Sequence, residues 1–396
     1  MQANSLGATV RDFRDRSGPR YIRIDALLLL AILGLTACSL YTIATATQDD
    51  IAGSPNYFLY RQALYAGVGI VLMLLISRLD YTRLREWKAG LYTLMIASIL
   101  LVFALGSVSR GSRRAIELPF FEVQTSELGK VLLILTLSAV IVDRFRRLGD
   151  RETTSRAMLL VLVPAMLVIA QPDLGSGLVY ISIGLVTLFV AGTRLSHFAA
   201  LGALAATAVV VVLVAAPAAG VELLKPYQMD RLTSFIDPSG DLAEEGYQQQ
   251  QSQVAIGAGG KTGRGEDATQ TKLDFLPEHH TDFVFSVVGE EFGFMGAALV
   301  LSLFALLIWR TLRILTMSKD LYGTLIAAGV LAMLMHQIFI NVGMTIGIMP
   351  ITGVTLPLMS YGGSSVLVTF IALGLLQSVH AQARETAFAK GQGLAI

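Results

Sequence analysis

Long apolar runs alternate with short polar segments along most of the chain, and one long polar stretch, 219–282, interrupts them. A helix of about 20 apolar residues is long enough to cross a bilayer. A membrane barrel would instead need alternating strands of about ten residues, so only helices fit this pattern. The sequence therefore predicts an all-α, polytopic membrane protein with about ten transmembrane helices, at 26–47, 58–77, 89–108, 124–142, 157–171, 174–192, 198–218, 283–309, 321–345 and 364–383.

Composition agrees with this class of protein. Hydrophobic residues make up 54% of the chain, charged residues 15%, and the mean hydropathy is +0.63. A formal net charge of +1 argues against a nucleic-acid partner, and the single Cys38 excludes an internal disulfide. The first apolar run is longer than a signal-peptide core, which indicates an uncleaved first span. The predicted order is a polar tail (1–25), seven helices within 26–218, a large loop at 219–282, three helices within 283–383 and a second tail (384–396).

Lysine and arginine set the predicted orientation. With the N-terminus in the cytoplasm, the inner segments hold 20 of the 30 basic residues, so both termini are expected to be cytoplasmic and the 219–282 loop external. The other basic residues cluster mainly around two outer loops, where the usual bias disfavours them. Each one alone can be a solvated loop residue, but the group indicates an anionic ligand on the outer face. These residues are Arg61, Arg110, Arg113, Arg114, Lys130, Lys225, Arg231, Lys261, Arg264 and Lys272.

Two acidic positions in the apolar region have alternative explanations. Glu127 and Lys130 are three residues apart and share a helix face, either as an ion pair between packed helices or as part of a polar cavity wall; we favour the cavity. Asp173 follows Pro172, which ends the fifth helix, and Asp173 either caps the sixth helix or also belongs to the site. Both positions are therefore candidate substrate contacts.

The external loop contains a glycine-rich run, 246–265, that includes Lys261 and Arg264. Such glycines let backbone amides approach an anion, so a phosphate-binding loop is one interpretation. A phosphate-loop NTPase motif is rejected, because the glycine it needs is replaced by Ala255. His279 and His280 are a poor metal pair, since neighbouring side chains diverge on a helix or a strand.

Asp282 lies where the polar stretch meets the eighth apolar run, and an ionisable group at a membrane boundary is costly unless it is used. The carboxylate either caps the eighth helix or acts in a site. Its depth depends on where that helix begins. A start at Phe292 would leave Asp282 about 15 Å above the lipid, whereas a start at Phe283 would bury Glu290 and Glu291, which would then need partners.

These pieces occur in an order that resembles one family over nearly the whole chain. The matching runs are Gly111-Ser112-Arg113-Arg114, Thr125-Ser126-Glu127-Leu128-Gly129-Lys130, Gln171-Pro172-Asp173-Leu174-Gly175-Ser176, 247–265, 275–285, Gly289-Glu290-Glu291-Phe292-Gly293, and PLMSYGGSS at 357–365. They resemble the SEDS proteins (shape, elongation, division and sporulation), ten-span bacterial polymerases of peptidoglycan glycan strands. The stretch 341–353 is more similar to the elongation member RodA than to the division member FtsW. Two positions depart from the family pattern: Ala115 stands where tryptophan is usual, and Thr125 where proline is usual.

The resemblance implies polymerisation of lipid II at the outer face of the bacterial cytoplasmic (inner) membrane, serving cell elongation and shape. This chemistry needs a general base for the acceptor hydroxyl, positive charge for the departing pyrophosphate and an apolar groove for the polyprenyl tail. Asp282 is the expected base, and partial burial beside aromatic residues is expected to raise its pKa and thus its basicity. The expected reaction is a single displacement that inverts the anomeric configuration. Expected substrate contacts are Glu127, Lys130, Arg113, Asp173, Arg231, Lys261, Lys272 and Ser360.

The expected partners are lipid II, the nascent glycan strand, membrane lipid and a class B penicillin-binding protein (a transpeptidase), with no nucleic acid. No cofactor is required by this scheme, and a divalent cation assisting the pyrophosphate stays open. A flippase for lipid-linked precursors, or another transporter, is the alternative, because transporters also have ionisable residues in spans and short, proline-interrupted helices. A non-catalytic scaffold for the transpeptidase is a third reading.

Overall fold

The computed structural model describes residues 24–48, 51, 53–109, 112–118, 121–147, 149–218, 244–272, 275–276 and 278–389. Each predicted span corresponds to a helix, although the third, predicted at 89–108, ends at Leu105 and is followed by a strand. The helices are α1 (Ala26–Ala46), α2 (Tyr57–Ser77), α3 (Lys88–Leu105), α4 (Thr125–Asp143), α5 (Arg151–Ala170), α6 (Leu174–Val190), α7 (Leu195–Val210), α8 (Glu244–Gly259), α9 (Thr269–Lys272), α10 (Val284–Met317), α11 (Leu321–Thr345) and α12 (Gly363–Ala389). The predicted helical fold of a polytopic membrane protein is confirmed.

Length and apolarity separate these helices into two groups. In the described part of the chain, eight are long and apolar enough to span a membrane, and Lys88–Ala104 and Leu174–Val190 are shorter apolar helices. Burial shows how they are layered. In their most apolar parts, 83% of the residues of α4, 78% of those of α12 and 72% of those of α11 are buried, against 28% for α2 and 6% for the span Leu195–Val214, which begins with α7. Because α4, α11 and α12 are enclosed, they form the centre of the bundle, while α2 and α7 expose apolar side chains as lipid-facing helices do.

A small antiparallel sheet interrupts the helices between α3 and α4, and the sequence analysis did not predict it. Its strands are β1 (Ser107–Ser109), β2 (Ser112–Leu118) and β3 (Phe121–Gln124), in the order β1-β2-β3. Ala115 pairs with Ser107 on one side and with Gln124 on the other. Pairing between the strands gives hydrogen bonds to backbone groups of the segment between α3 and α4. The last strand leads directly into α4.

A buried ion pair ties three helices together at the end of the bundle where α1 begins. Asp25 caps α1 by accepting the N–H of Leu28 at 2.9 Å, and the Nε of Arg310 in α10 donates to both carboxylate oxygens at 3.1 Å. Gln377 of α12 accepts the Asp25 N–H at 2.8 Å. Burial alone raises the pKa of Asp25, but the hydrogen bonds from Arg310 and Leu28 hold it below the ordinary value. The pair is therefore ionised and fixes the relative positions of α1, α10 and α12.

The part of 219–282 that is described contains two helices, α8 and α9, where the sequence analysis expected only a loop. The end of α8 lies against the backbone of α10: a Cβ on Gly259 would be 1.8 Å from the carbonyl oxygen of Gly289, and one on Gly263 would be 2.0 Å from that of Glu291. These glycines are thus required for close packing. Lys261 follows a helix end instead of opening a helix, which agrees with rejecting the phosphate-loop NTPase motif.

Helix α10 begins at Val284, close to the earlier of the two predicted starts, and is broken at Gly293, where φ is 62° and ψ is −159°. Glu290 and Glu291 are buried, as that alternative requires, and both have partners. Glu290 accepts two N–H groups at the start of α9, at 2.8 and 3.0 Å, and Glu291 accepts the hydroxyl of Thr45 at 2.5 Å. The first turns of α10 are therefore a short, polar-anchored helix that precedes the apolar span.

Candidate functional site

Asp282 lies in a tight turn, 278–283, immediately before α10. The N–H groups of Thr281, Asp282 and Phe283 all point at the carbonyl oxygen of Glu278, at 3.1, 3.2 and 3.3 Å, and Glu278 has a φ of 58°. The N-cap position of α10 is occupied by Phe283. The Asp282 side chain is half-buried. Asp282 thus stands one residue outside the cap position, on a turn whose backbone is fixed by its own hydrogen bonds.

A side chain of helix α11 holds this turn through a hydrogen bond to its backbone. Asn341 is fully buried, and its Nδ2 donates to the carbonyl oxygens of Asp282 and of Val354, both at 2.8 Å. A Cβ built on Gly353 would lie 3.5 Å from Oδ2 of Asp282, so the loop that follows α11 passes beside the carboxylate. One amide therefore joins the acidic turn to that loop.

The sequence analysis quoted Asn341 only as part of a family-like stretch and assigned it no role. A signal was present: Gln337, Asn341 and Thr345 are polar residues four apart in a mostly apolar run, which places them on one helix face. All three are buried. A polar stripe inside a membrane helix usually faces other protein groups.

Glu127 and Lys130 form the ion pair that their spacing predicts. Nζ of Lys130 is 2.5 Å from Oε1 of Glu127, and the two side chains are only 1% and 6% exposed. The pair lies in the first turns of α4, where the helix dipole favours an acidic side chain. Tyr180 of α6 donates to the carbonyl oxygen of Ser126 at 2.9 Å, and its hydroxyl occupies the space that a side chain on Gly129 would need. The pair is thus enclosed between α4 and α6.

Asp173 caps α6, as predicted, and it does more. Its Oδ1 accepts the N–H of Ser176 at 3.0 Å, while its Oδ2 accepts the hydroxyl of Ser126 at 3.0 Å and the Nε2 of Gln124 at 3.3 Å. The carboxylate is buried. Asp173 therefore connects the start of α6 to the start of α4, next to the Glu127–Lys130 pair.

The loop before α12 carries Ser360 and joins the same end of the bundle. The Ser360 hydroxyl accepts the N–H of Leu356 at 2.8 Å, and its carbonyl oxygen accepts Nε2 of Gln62 at 3.2 Å. Ser364 donates to the carbonyl oxygen of Glu122 at 2.5 Å and accepts the N–H of Gln124 at 3.0 Å. Ser360 is thus a buried turn residue in this structure, and the loop links α12 to β3.

The structure gives positions for three of the four basic residues predicted to contact the pyrophosphate. Lys261 is exposed just beyond α8, Arg113 is in β2 opposite Val108, and Lys272 ends α9. Arg231 lies outside the described residues. No cluster of three or more His, Cys, Asp or Glu side chains suited to a metal ion occurs among the residues that the structure describes. The structure thus brings Glu127, Lys130 and Asp173 together, and sets Asp282 and Ser360 at the same end of the bundle.

The fold and this site define a multi-pass helical membrane protein with acidic and basic side chains gathered at one end. The FtsW/RodA/SpoVE family model, described as "Cell cycle protein", matches residues 22–385. The chain is 34% identical to "Stage V sporulation protein E" of Bacillus subtilis, covering 93% of this chain and 99% of that protein. It is 38% identical to "Probable peptidoglycan glycosyltransferase FtsW" of Thioalkalivibrio sulfidiphilus (92% and 91%) and 34% identical to "Peptidoglycan glycosyltransferase MrdB" of Escherichia coli K12 (91% and 94%).

Solved structures give the same result. A chain from the structure reported as "Structural coordination of polymerization and crosslinking by a peptidoglycan synthase complex" has a TM-score of 0.75 and 33% identity, covering 91% of this chain and 98% of that one. The rod shape determining protein RodA of Thermus thermophilus has a TM-score of 0.65 and 29% identity, with the same coverage. The chain belongs to the FtsW/RodA/SpoVE family, the SEDS proteins.

Proposed function

We propose that this protein is a peptidoglycan glycosyltransferase that polymerises lipid II. The observation that carries the proposal is its family membership over 22–385, with relatives of 34–38% identity that bear this activity in their names. The geometry supports it, because a fixed carboxylate and a buried ion pair lie at the end of the bundle where the substrate headgroup would enter.

In the proposed reaction, Asp282 takes the proton of the acceptor hydroxyl while that oxygen attacks the anomeric carbon of the donor sugar. The bond from this carbon to the pyrophosphate oxygen breaks on the opposite face, so one displacement inverts the configuration. Arg113, Arg231, Lys261 and Lys272 are the proposed cations for the departing pyrophosphate. Lys130 has further N–H donors beside the one directed at Glu127, and with Asp173 and Ser360 it is a proposed substrate contact.

The proposed placement is the bacterial cytoplasmic membrane, with both termini in the cytoplasm and Asp282 at the outer face. We further propose the elongation role, on the similarity of 341–353 to RodA, and a class B penicillin-binding protein as partner, which agrees with a structural relative from a peptidoglycan synthase complex. Cysteine labelling of intact cells, with reporter positions beside Asp282 and in the C-terminal tail, tests the orientation. Labelling of the Asp282 side from the cytoplasm would contradict it.

The activity is tested with the purified protein and lipid II in detergent, with and without the transpeptidase. Glycan strands on a gel are the expected result. Parallel reactions with Mg²⁺ and with a chelator decide whether a divalent cation assists. In liposomes, lipid II that changes leaflet without being consumed would instead identify a flippase, and a protein that binds the transpeptidase but leaves lipid II unchanged in either format would identify a scaffold.

Replacing Asn341 with leucine is expected to lower kcat about 10²-fold with little change in KM, because a base displaced by about 1 Å loses its alignment while the substrate contacts remain. Initial rates over a range of lipid II concentrations measure this. The matched control is Gln337→Leu, a buried amide one turn earlier on the same face. An Asn341→Leu protein that loses thermal stability but keeps its kcat would contradict a positioning role.

A further inference from the structure

A cluster of rings lies beside the acidic turn and has no part in the mechanism above. We call Phe58, His280 and Tyr361, together with Arg61, the ring cluster. The ring centroids of Phe58 and His280 are 4.8 Å apart, those of Phe58 and Tyr361 are 5.1 Å apart at 89°, and those of His280 and Tyr361 are 5.7 Å apart at 68°. All four side chains are half-buried, so each is supported on one side and accessible on another.

Arg61 adds a cation to these rings. Its guanidinium carbon is 4.9 Å from the ring centroid of Tyr57, and the guanidinium interacts with the side chain of Tyr361. Among the residues that the structure describes, no carboxylate lies within ion-pair distance of Arg61. Burial, with Tyr65 nearby, raises the pKa of Tyr361 to about 12, so its hydroxyl stays protonated at neutral pH. The cluster therefore combines apolar ring surface with two hydrogen-bonding groups, the Arg61 guanidinium and the Tyr361 hydroxyl.

The ring cluster is joined to the turn that carries Asp282. His280 is two residues before Asp282 in the turn, and the His280 carbonyl oxygen accepts the N–H of Tyr361 at 2.9 Å. The turn, the loop before α12 and the outer end of α2 thus meet at this point. A group resting on the rings would therefore lie against the turn that carries Asp282.

We propose that the ring cluster is a saccharide subsite that holds the acceptor sugar for deprotonation by Asp282. This inference rests on the proposed function and extends it to a binding role for residues outside the predicted site. Phe58 and Tyr361 supply ring surface for the C–H face of a pyranose, while Arg61 and the Tyr361 hydroxyl bond its hydroxyl and acetamido groups.

The chemistry of the cluster favours a sugar over the other parts of the substrate. A pyranose has C–H groups on its faces and hydroxyls at its edge, which matches rings whose polar tips project from an apolar body. A polyprenyl tail would cover the Arg61 guanidinium and the Tyr361 hydroxyl without offering either group a hydrogen bond, at a cost in desolvation. A pyrophosphate would need several converging cations, and Arg61 is the only one in the cluster.

The test uses Phe58→Leu and Tyr361→Leu, which keep apolar bulk but remove the ring. Chitotetraose, a soluble β-1,4-linked tetrasaccharide, is the binding probe, and initial rates with lipid II are the second measurement. Each variant is expected to bind chitotetraose roughly three- to tenfold more weakly and to raise KM for lipid II by a similar factor, with thermal unfolding unchanged. Tyr60→Leu is the matched control, because Tyr60 is 70% exposed at the same helix end and outside the cluster.

The outcomes separate this inference from the proposed function. The Asp282→Asn protein is expected to bind chitotetraose as the wild type does, since the rings remain. If the wild type does not polymerise lipid II but binds chitotetraose in a way that depends on the rings, the proposed polymerase activity is contradicted and the saccharide subsite is supported. If both leucine variants polymerise lipid II with the wild-type KM and bind chitotetraose with the wild-type affinity, the subsite is contradicted and the polymerase is not. A wild type that does not bind chitotetraose would contradict the subsite in the same way.

Discussion

An Asp282→Asn protein is expected to polymerise lipid II about 10²- to 10⁴-fold more slowly than the wild type, because asparagine has the same shape but cannot accept the proton of the acceptor hydroxyl. The fold should survive. The turn that carries Asp282 is held through backbone groups, which are the Asp282 N–H, bonded to Glu278, and the Asp282 carbonyl oxygen, bonded to Asn341. Lipid II consumption, followed over time beside thermal unfolding of both proteins, measures the two effects separately.

The matched control is Glu278→Gln, which neutralises another carboxyl group in the same turn. We expect it to retain most of the wild-type rate, since a general base must be within reach of the reacting proton and not merely nearby. Full turnover by Asp282→Asn would show that a different group is the base. Equal losses in the Asp282 and Glu278 variants would indicate that charge in the turn matters, and not Asp282 itself.

The second large effect is expected from the Glu127–Lys130 pair. Lys130→Ala leaves Glu127 as an uncompensated charge in a buried site, and breaking a buried pair in this way costs about 3–5 kcal/mol of folding stability. Thermal or denaturant unfolding in detergent measures that loss. Stability alone does not separate a packing ion pair from a cavity wall that contacts the substrate.

A double variant makes that distinction. Glu127→Gln with Lys130→Met removes both charges and preserves approximate side-chain length, so most of the stability should return. If Lys130 contacts the substrate, lipid II turnover stays low in this stable protein. Recovery of turnover together with stability would mean that the pair only joins elements of the fold, and the substrate contact assigned to Lys130 would be withdrawn.

Several features of the site could be read from the chain because they depend on neighbouring residues. The spacing of Glu127 and Lys130 places them on one helix face, and Asp173 follows a proline at the point where a new helix must begin. Both the ion pair and the cap are present in the structure. Local features of this kind need no knowledge of what packs against them.

Other features depend on contacts between distant segments. The carbonyl oxygen of Asp282 is held by Asn341, 59 residues away. Glu290 binds the start of α9, and Gly259 and Gly263, at the end of α8 and just beyond it, are needed because α10 passes within contact distance. A sequence shows that such residues are polar or small, but the identity of the partner follows only from the packing.

The sequence by itself determined the membrane class, the helical fold and the approximate limits of ten apolar helices, since a bilayer demands runs of about 20 apolar residues whatever the packing. The family resemblance supplied the expected chemistry. Tertiary structure alone decided that 107–109, 112–118 and 121–124 form a sheet, that α10 breaks at Gly293, and that α4, α11 and α12 are the most buried spans. These outcomes depend on long-range backbone and side-chain contacts, which local hydrophobicity does not encode.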